Sequence, residues 1–469
     1  KIDEVILTFS EGRWERVKLT DYEVLYKPKF LVYNVNCKSI HAVKAAFMPY
    51  IHVKYSDGKI TNIEAFSGIV REIPLFYVIS NKKLYISDSS LTLAKLLKDR
   101  ILNEFAILEF LILGYTTVER TLFSKVLNLK GGQILKYNKP ELDISFRYVY
   151  NSASIKERNR YELSQDFIQV SENVFNDLII ALKGKKVLLP ISAGYDSRFI
   201  ATMLKMGGFE DVFCYSWGAP NTKDVLTGKK IADKFGYKWK HIKHSASIWR
   251  EVMLDPKIEE IILDASNFSS VPAMASLPFQ RFLQSDESVV QDAVILPGHT
   301  VLSASNTNLI NVSNDINDIV NDIQSRHFLS REIKNRALFT SINTQLKELI
   351  NYVSNPYQAA ETWNLIEQQA KMMMSTNRFY EKISLKYSLP LYDSRFIRFW
   401  ETVPLHQKKI RKEYKRILAQ EFFHEANLNF ERSVVPSNFK TKKMYKIARE
   451  IYRSLRGNIK EQYDEYGFN

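Results

Sequence analysis

One short segment constrains this fold more than any other, because an apolar strand there turns directly into a helix. The strand is predicted over 187–191 and the helix over 197–206, with Ser192-Ala-Gly-Tyr-Asp-Ser197 between them. A helix start leaves backbone N–H groups without partners, and these attract anions. The Ser192 and Ser197 hydroxyls add donors, and the Asp196 carboxylate suits a divalent metal. The segment predicts a site for a magnesium-bound polyphosphate; an ordinary capped strand–turn–helix is the alternative.

The segments that follow alternate between strand and helix. Further strands are predicted over 211–217, 238–243 and 289–296, with a helix over 224–235. This alternation is typical of a doubly wound parallel sheet, whose ligands bind at the carboxyl ends of the strands. The turns after residues 191, 217 and 296 therefore share one rim. The residues predicted to contact the ligand there, besides the two serines and Asp196, are Ala193, Gly194, Tyr195, Ser216 and Gly298.

The first 150 residues are mainly strands. Hairpins are predicted at 50–55/59–63 and 74–80/84–87, and short helices at 91–97 and 103–113. A polar stretch at 148–162 is the predicted linker. The sequence thus predicts a two-domain α/β protein, with a β-rich α+β domain over 1–150. A parallel-sheet domain over 160–469 follows, and it is mostly helical from residue 314.

The amino-acid composition excludes two classes of protein, those stabilised by disulfides and those that span a membrane. Two cysteines, Cys37 and Cys214, exclude a disulfide framework, and no apolar run reaches the ~18 residues of a membrane span. We expect a soluble cytoplasmic protein. The net charge of +14 implies an acidic partner, such as a nucleotide, a nucleic acid or an anionic membrane. A basic helix predicted over 440–456 either contacts a membrane surface or docks on its own domain, and a homo-oligomer is left open.

Several motifs carry a family resemblance. The loop at Ser192–Ser197 resembles the SGGxDS loop of the PP-loop synthetases, which cleave ATP to AMP and pyrophosphate. Other segments, in the same order, resemble the asparagine synthetase family, which joins a glutaminase-like Ntn sandwich to a PP-loop (HUP-like) domain. These segments are Pro74-Leu-Phe-Tyr77, Gly114-Tyr115, Thr121–Gly132, Asp224–Gly236, Pro390-Leu-Tyr-Asp393 and Lys415-Arg-Ile-Leu418.

Three further segments are similar to a divergent branch of that family. They are Pro297-Gly-His-Thr300, Asn377-Arg-Phe-Tyr380 and Leu389-Pro-Leu-Tyr-Asp393. The branch contains the asparagine-synthetase-like proteins of bacterial surface-polysaccharide clusters, some of which are thought to amidate sugar carboxylates. The resemblance implies a role in polysaccharide biosynthesis.

The resemblance also implies a chemistry. ATP would bind over the loop with Mg²⁺ on Asp196, a small-molecule carboxylate would become an acyl-adenylate, and ammonia or an amine donor would displace AMP. This is the reaction of a carbon–nitrogen ligase. His299 lies where relatives carry a glutamate or a catalytic tyrosine, so it is a candidate base. A loop histidine that satisfies a backbone carbonyl is the alternative.

The N-terminal half departs from the family pattern at its first residue. Glutamine-hydrolysing relatives use an N-terminal cysteine whose own amine is the base, and Lys1 stands there instead. Cys37 lacks a free amine and is expected to be a small buried side chain. Either a segment that preceded Lys1 has been lost from this sequence, or the domain does not hydrolyse glutamine. The domain over 1–150 is predicted to be a degenerate glutaminase-like domain.

The C-terminal half departs at a magnesium ligand. Leu302 stands where the family carries a metal-binding aspartate, and leucine has no oxygen donor. Ser303, Ser305, Asp292 or substrate oxygens are the candidate replacements. Where relatives place a lysine after the Lys415–Leu418 motif, the nearby cation here is Arg432.

These departures keep a second function open. The alternative to a ligase is a catalytically inactive scaffold or nucleotide-binding protein of the same fold. A third class, the tRNA-modifying PP-loop enzymes, suits the positive charge but often uses paired cysteines, which this chain lacks. We therefore expect no nucleic-acid partner.

Overall fold

The computed structural model describes residues 2–33, 39–97, 101–285, 289, 291–303, 315–329, 335–424, 426 and 428–429. The chain forms two compact units. Unit 1 comprises residues 1–183, 259–274 and 299–412, and unit 2 comprises residues 184–258, 275–298 and 413–469. These contact-based units differ from the sequence domains 1–150 and 160–469, which stay a prediction.

The strands carry the labels used below. They are β1 (Glu4–Thr8), β2 (Trp14–Thr20), β3 (Glu23–Pro28), β4 (Tyr50–Ser56), β5 (Lys59–Phe66), β6 (Phe76–Ser80), β7 (Lys83–Ser87), β8 (Leu127–Asn128), β9 (Gln133–Asn138), β10 (Glu141–Phe146), β11 (Lys186–Pro190), β12 (Val212–Gly218), β13 (Lys238–Lys243), β14 (Ala293–Ile295) and β15 (Lys386–Tyr387).

The helices are labelled in the same way. They are α1 (Ile40–Ala45), α2 (Ser90–Leu96), α3 (Glu104–Leu113), α4 (Arg160–Ala181), α5 (Tyr195–Met206), α6 (Lys223–Phe235), α7 (Ala246–Met253), α8 (Ile258–Ser266), α9 (Leu277–Ser285), α10 (Ile316–His327), α11 (Arg336–Ile350), α12 (Pro356–Asn364), α13 (Asn377–Lys382), α14 (Ser394–Glu401), α15 (Leu405–Lys408) and α16 (Lys412–Ile417). Leu365–Met373 and Leu418–Phe422 are π-helical. No helix among the described residues is long and apolar enough to span a bilayer.

Unit 1 contains two β-sheets. One has the order β1-β7-β6-β8, and the other, wholly antiparallel, has the order β10-β9-β5-β4-β3-β2. Both predicted hairpins are confirmed, as β4–β5 around Asp57-Gly58 and β6–β7 around Asn81-Lys82. Alternating side chains from both sheets share an apolar core, as expected where one face of each sheet is buried.

The remainder of unit 1 is helical. Apolar residues at helical spacing from Leu163 to Leu182 predict a helix there. It is confirmed as α4, which begins at a capping box between Asn159 and Glu162. A second apolar core is built from α3, α10, α11 and α12. Of these helices, α10, α11 and α12 belong to the helical part that the sequence predicts beyond residue 314.

Unit 2 contains four parallel strands in the order β13-β12-β11-β14. The chain runs from β11 through α5 to β12 on one side, and β14 joins β11 on the other side. The carboxyl end of β11 is therefore the point where the winding direction changes, which is where ligands of doubly wound sheets bind. The predicted α/β fold class is confirmed, although β14 is shorter than the predicted strand 289–296.

A buried histidine in the helical core of unit 1 makes the stability of the fold depend on pH. The Asn364 carbonyl oxygen accepts from Gln369, so the Asn364 amide donates to Nε2 of His327. Nδ1 then carries the proton and donates to the Tyr115 hydroxyl at 2.9 Å. Burial, with a smaller contribution from the charge on Arg326, lowers the pKa of His327 to about 3. The folded protein therefore holds this ring neutral.

Acid should destabilise the fold through His327. Between pH 6.5 and pH 4 the His327 ring is protonated in the unfolded chain but stays neutral in the folded chain. The free energy of unfolding therefore falls by up to about 1.4 kcal/mol for each pH unit of acidification in this range. His327→Gln should remove this share of the slope, as measured by urea unfolding across that range. Parallel curves for the two proteins would contradict the assignment.

Candidate functional site

The predicted site begins where β11 ends. Ile191 is buried, the chain turns at residues 192–194, and α5 starts at Tyr195 with Gly194 as its N-cap. Because its N-cap is a glycine, this helix has no capping bond from an N-cap side chain. Its first-turn N–H groups, with the partial positive charge of a helix start, therefore lie at the carboxyl end of the central strand.

The loop is braced by its own hydroxyls and by one carboxylate. Gly194 N–H donates to Ser192 Oγ at 3.1 Å, and Ser192 N–H donates to Ser197 Oγ at 3.2 Å. Ala193 N–H donates to Asp224 Oδ1 at 2.9 Å. The structure thus brings Ser192–Ser197 together as predicted, but these three N–H groups are bonded within the protein. An anion at this loop would take hydrogen bonds from the first turn of α5 and from one serine hydroxyl, because the Ser192 and Ser197 hydroxyls also contact each other at 3.4 Å.

Asp196 supplies a carboxylate in the first turn of α5, where the helix start favours negative charge. It is half-buried, and its Oδ1 accepts the Tyr414 hydroxyl of α16 at 2.8 Å. No group of three or more candidate metal ligands occurs among the described residues. A single carboxylate fits a magnesium ion that arrives on a triphosphate, because Mg²⁺ keeps several waters and takes phosphate oxygens.

Arg198 fixes the other side of the loop. Its buried guanidinium donates to the Ala193 carbonyl at 2.9 Å and to the Leu428 carbonyl at 2.8 Å. It also lies over the rings of Tyr195 and Phe423, at 5.5 and 5.1 Å from their centroids. This arginine positions the loop from within the protein.

Two of the predicted contact residues pack tightly against their surroundings. The Ser216 hydroxyl is buried, donates to the Ile191 carbonyl at 2.7 Å and accepts from Trp239 at 3.1 Å. At Gly298, an added methyl group would lie 3.2 Å from the backbone nitrogen of Ser197. Gly298 thus lets the chain after β14 approach the start of α5. Ligand contact by either residue stays a prediction.

The remaining predicted residues are placed as follows. His299 is half-buried and belongs to unit 1, and its role as a base stays a prediction. Leu302 is fully buried, and its N–H donates to Thr300 Oγ1. The suggestion that Asp292 replaces the missing metal ligand is wrong. Asp292 precedes β14, and its backbone carbonyl accepts the Lys186 N–H at 3.3 Å. This places it at the amino ends of the strands, opposite the loop.

Other predictions fall outside the described residues. They concern Lys1, Cys37, Ser305, Arg432 and the basic helix over 440–456. Cys214 is a free, buried thiol, and burial raises its pKa to about 12, so it is an unreactive side chain.

Sequence reasoning missed three residues of the site, namely Asp224, Tyr414 and Arg198. Asp224 opens a helix that the sequence predicts, and an acid there is an ordinary dipole partner, so nothing marked it as a ligand of the loop. Tyr414 meets Asp196 across 218 positions of sequence. Only the serine-rich loop motif, which Arg198 follows directly, could have drawn attention to that arginine.

Comparisons with known proteins give weak overlaps. No family model and no curated protein matches the chain. The NH3-dependent NAD synthetase from Campylobacter jejuni in complex with the nitrate ion overlaps with a TM-score of 0.24 and 14% identity, over 46% of this chain and 96% of that one. NMN synthetase from Francisella tularensis gives 0.22 and 9%, over 54% and 97%. The description of the fold therefore rests on the strand order given above.

Adding one methyl group on α6 should disturb the site. An alanine Cβ at Gly228 would lie 2.3 Å from Ser216 Oγ and 2.8 Å from the Ile191 carbonyl oxygen, so α6 would have to move away from β11. We expect Gly228→Ala to cost about 1–3 kcal/mol in urea unfolding. Lys230→Ala, at an exposed position of the same helix, should change stability by less than about 0.5 kcal/mol. Equal midpoints for both variants would refute the tight contact.

Proposed function

We propose that the loop of unit 2 binds the polyphosphate of ATP with Mg²⁺, and that the protein is an ATP-dependent carbon–nitrogen ligase. One observation carries this proposal. The start of α5, whose N-cap is Gly194, lies at the change of winding direction of a parallel sheet, at the hydroxyl-rich loop Ser192–Ser197. Anions bind at such helix starts, and ligands bind at such points of the sheet.

The proposed chemistry has two displacements. A substrate carboxylate oxygen attacks the α-phosphorus, the bond to the β-phosphate oxygen breaks, and pyrophosphate leaves. Ammonia or an amine then attacks the acyl carbon, loses a proton and displaces AMP. The α5 start would stabilise the charge that develops on pyrophosphate, because its dipoles are in place before the reaction. Asp196 would hold Mg²⁺, and His299 is the candidate proton acceptor.

The finer assignment follows from the motifs in the sequence. The order of segments that resemble asparagine synthetase supports an amidating enzyme with an acyl-adenylate intermediate. The segments Pro297–Thr300 and Asn377–Tyr380 favour a sugar carboxylate as the acid. The proposed nitrogen donor is ammonia or an amine. No nucleic acid is proposed as a partner of the protein.

A catalytically inactive scaffold or nucleotide-binding protein of the same fold is the second candidate, and two observations favour it. The N–H groups of Ser192, Ala193 and Gly194 are already bonded within the protein, and Leu302 offers no metal ligand. Calorimetry with ATP and Mg²⁺ tests for a scaffold, because a scaffold has no need of either. Isotope exchange between pyrophosphate and ATP, with sugar acids and amino acids as substrates, then tests for the adenylate.

Asp196→Asn is the sharpest variant. The amide keeps an oxygen for the Tyr414 hydroxyl, so the fold should be unchanged, whereas a neutral oxygen is a poor magnesium ligand. We expect Mg²⁺-dependent ATP binding and pyrophosphate exchange to fall by about 100-fold, by analogy with the loss of other electrostatic groups. Asp233→Asn is the matched control, since Asp233 lies exposed on α6 and pairs with Lys229. Wild-type affinity in the Asp196 variant would end the proposed metal role.

A further inference from the structure

The helix α3 is apolar on all sides. Eight of its ten residues are apolar, in the sequence Glu-Phe-Ala-Ile-Leu-Glu-Phe-Leu-Ile-Leu. Such a helix is normally buried all round. In this protein only one side is buried, through Ala106, Glu109, Ile112 and Leu113. The opposite side carries Ile107, which is half-buried, and Leu111, which is 68% exposed.

The orientation of α3 is fixed by a charge on its inner side. Glu109 is fully buried and accepts from the Arg120 guanidinium at 2.9 and 2.5 Å and from the Thr117 N–H at 3.0 Å. Turning the helix to bury Leu111 would pull the buried Glu109 away from these partners and break the ion pair with the half-buried Arg120. The exposure of Leu111 is therefore part of the folded arrangement.

The apolar region extends beyond both ends of the helix. Ile101 and Leu102, just before α3, are 59% and 52% exposed. Leu329 is 55% exposed, and its N–H donates to the Ile112 carbonyl at 2.8 Å, at the end of α3. We call this region the α3 surface; it comprises Ile101, Leu102, Ile107, Phe110, Leu111 and Leu329. Apolar regions of this kind mark surfaces that bind a protein or a membrane.

The charges around the α3 surface favour a membrane over a protein as its partner. Lys95 on α2 is exposed, as is Lys125, next to Ser124, whose N–H donates to the Ile101 carbonyl. The outward side of α3 carries a single acid, Glu104. The chain as a whole has a net charge of +14, so two copies repel each other at long range, whereas an anionic bilayer attracts the protein.

We propose that the α3 surface binds anionic phospholipid bilayers, with its apolar side chains inserted at the boundary between headgroups and acyl chains. Lys125, whose neighbour Ser124 bonds Ile101, then lies near the level of the lipid phosphates. An interfacial helix of this type combines apolar contact with electrostatic attraction, so binding requires both. This inference does not depend on the proposed ligase activity, and it concerns a surface distinct from the segment 440–456.

The test is sedimentation of the full chain with vesicles of phosphatidylcholine containing about 30% phosphatidylglycerol, as a model of an anionic leaflet. Wild-type protein should bind these vesicles, bind pure phosphatidylcholine weakly, and dissociate as salt screens the charge. The double variant Ile107→Glu/Leu111→Glu should lower the partition coefficient by about tenfold or more, because two apolar contacts are lost. Ile180→Glu is the control, at a 73% exposed isoleucine on α4.

The outcomes separate the alternatives. Wild-type binding that the double variant loses and the α4 control keeps supports the proposal, provided that thermal unfolding shows all three proteins folded. Equal binding by wild type and double variant overturns it, and would place any membrane contact elsewhere, for example in 440–456. A wild-type dimer that the double variant dissociates, without vesicle binding, also overturns it and assigns the α3 surface to a second copy of the chain. The single variant Leu111→Gln repeats the test with a smaller change of charge.

Discussion

The candidate site depends on the close approach of α6 to the end of β11. Gly228 has no side chain, so the helix backbone can lie against the Ile191 carbonyl and the Ser216 hydroxyl. Asp224 lies one helical turn before Gly228 and on the same side of α6. The contact that Gly228 permits therefore also carries the Asp224 carboxylate to the Ala193 N–H. Glycine at position 228 is therefore needed both for the packing of α6 on the sheet and for the shape of the loop.

This bracing has a chemical consequence. A flexible loop would lose conformational entropy when it closed on an anion, whereas a loop held by Ser192, Ser197, Asp224 and Arg198 has already lost it during folding. The same bonds occupy N–H groups that an unbraced loop would offer to phosphate. Anion binding would then draw on the start of α5 and on the serine hydroxyl that does not donate within the Ser192–Ser197 pair. The ligase and the scaffold proposals differ in whether those donors suffice.

Local sequence patterns predicted most of the framework. The hairpins, α4 and the alternation of strands and helices in unit 2 follow from hydrophobic period and turn residues, which act over a few positions. The bonds of the site follow from tertiary approach. Nothing near Tyr414 shows that it meets Asp196. Asp292 was misplaced for a related reason: the short strand β14 puts it at the amino end of the sheet, although it lies only ten residues from Leu302.

In unit 1, buried charged side chains fix the orientation of α3 and therefore which of its apolar residues are exposed. Lys371 is fully buried in a π-helical segment and donates to the Thr116 and Val118 carbonyls and to Glu367, within the same region that holds Glu109. Buried ion pairs add little to the stability of a fold, but separating one pair lowers the stability strongly, so they favour a single arrangement of the chain. A helix whose only buried acid must face this network cannot also turn Leu111, on its opposite side, inward. The apolar α3 surface is therefore a consequence of the same polar interior that orders the core.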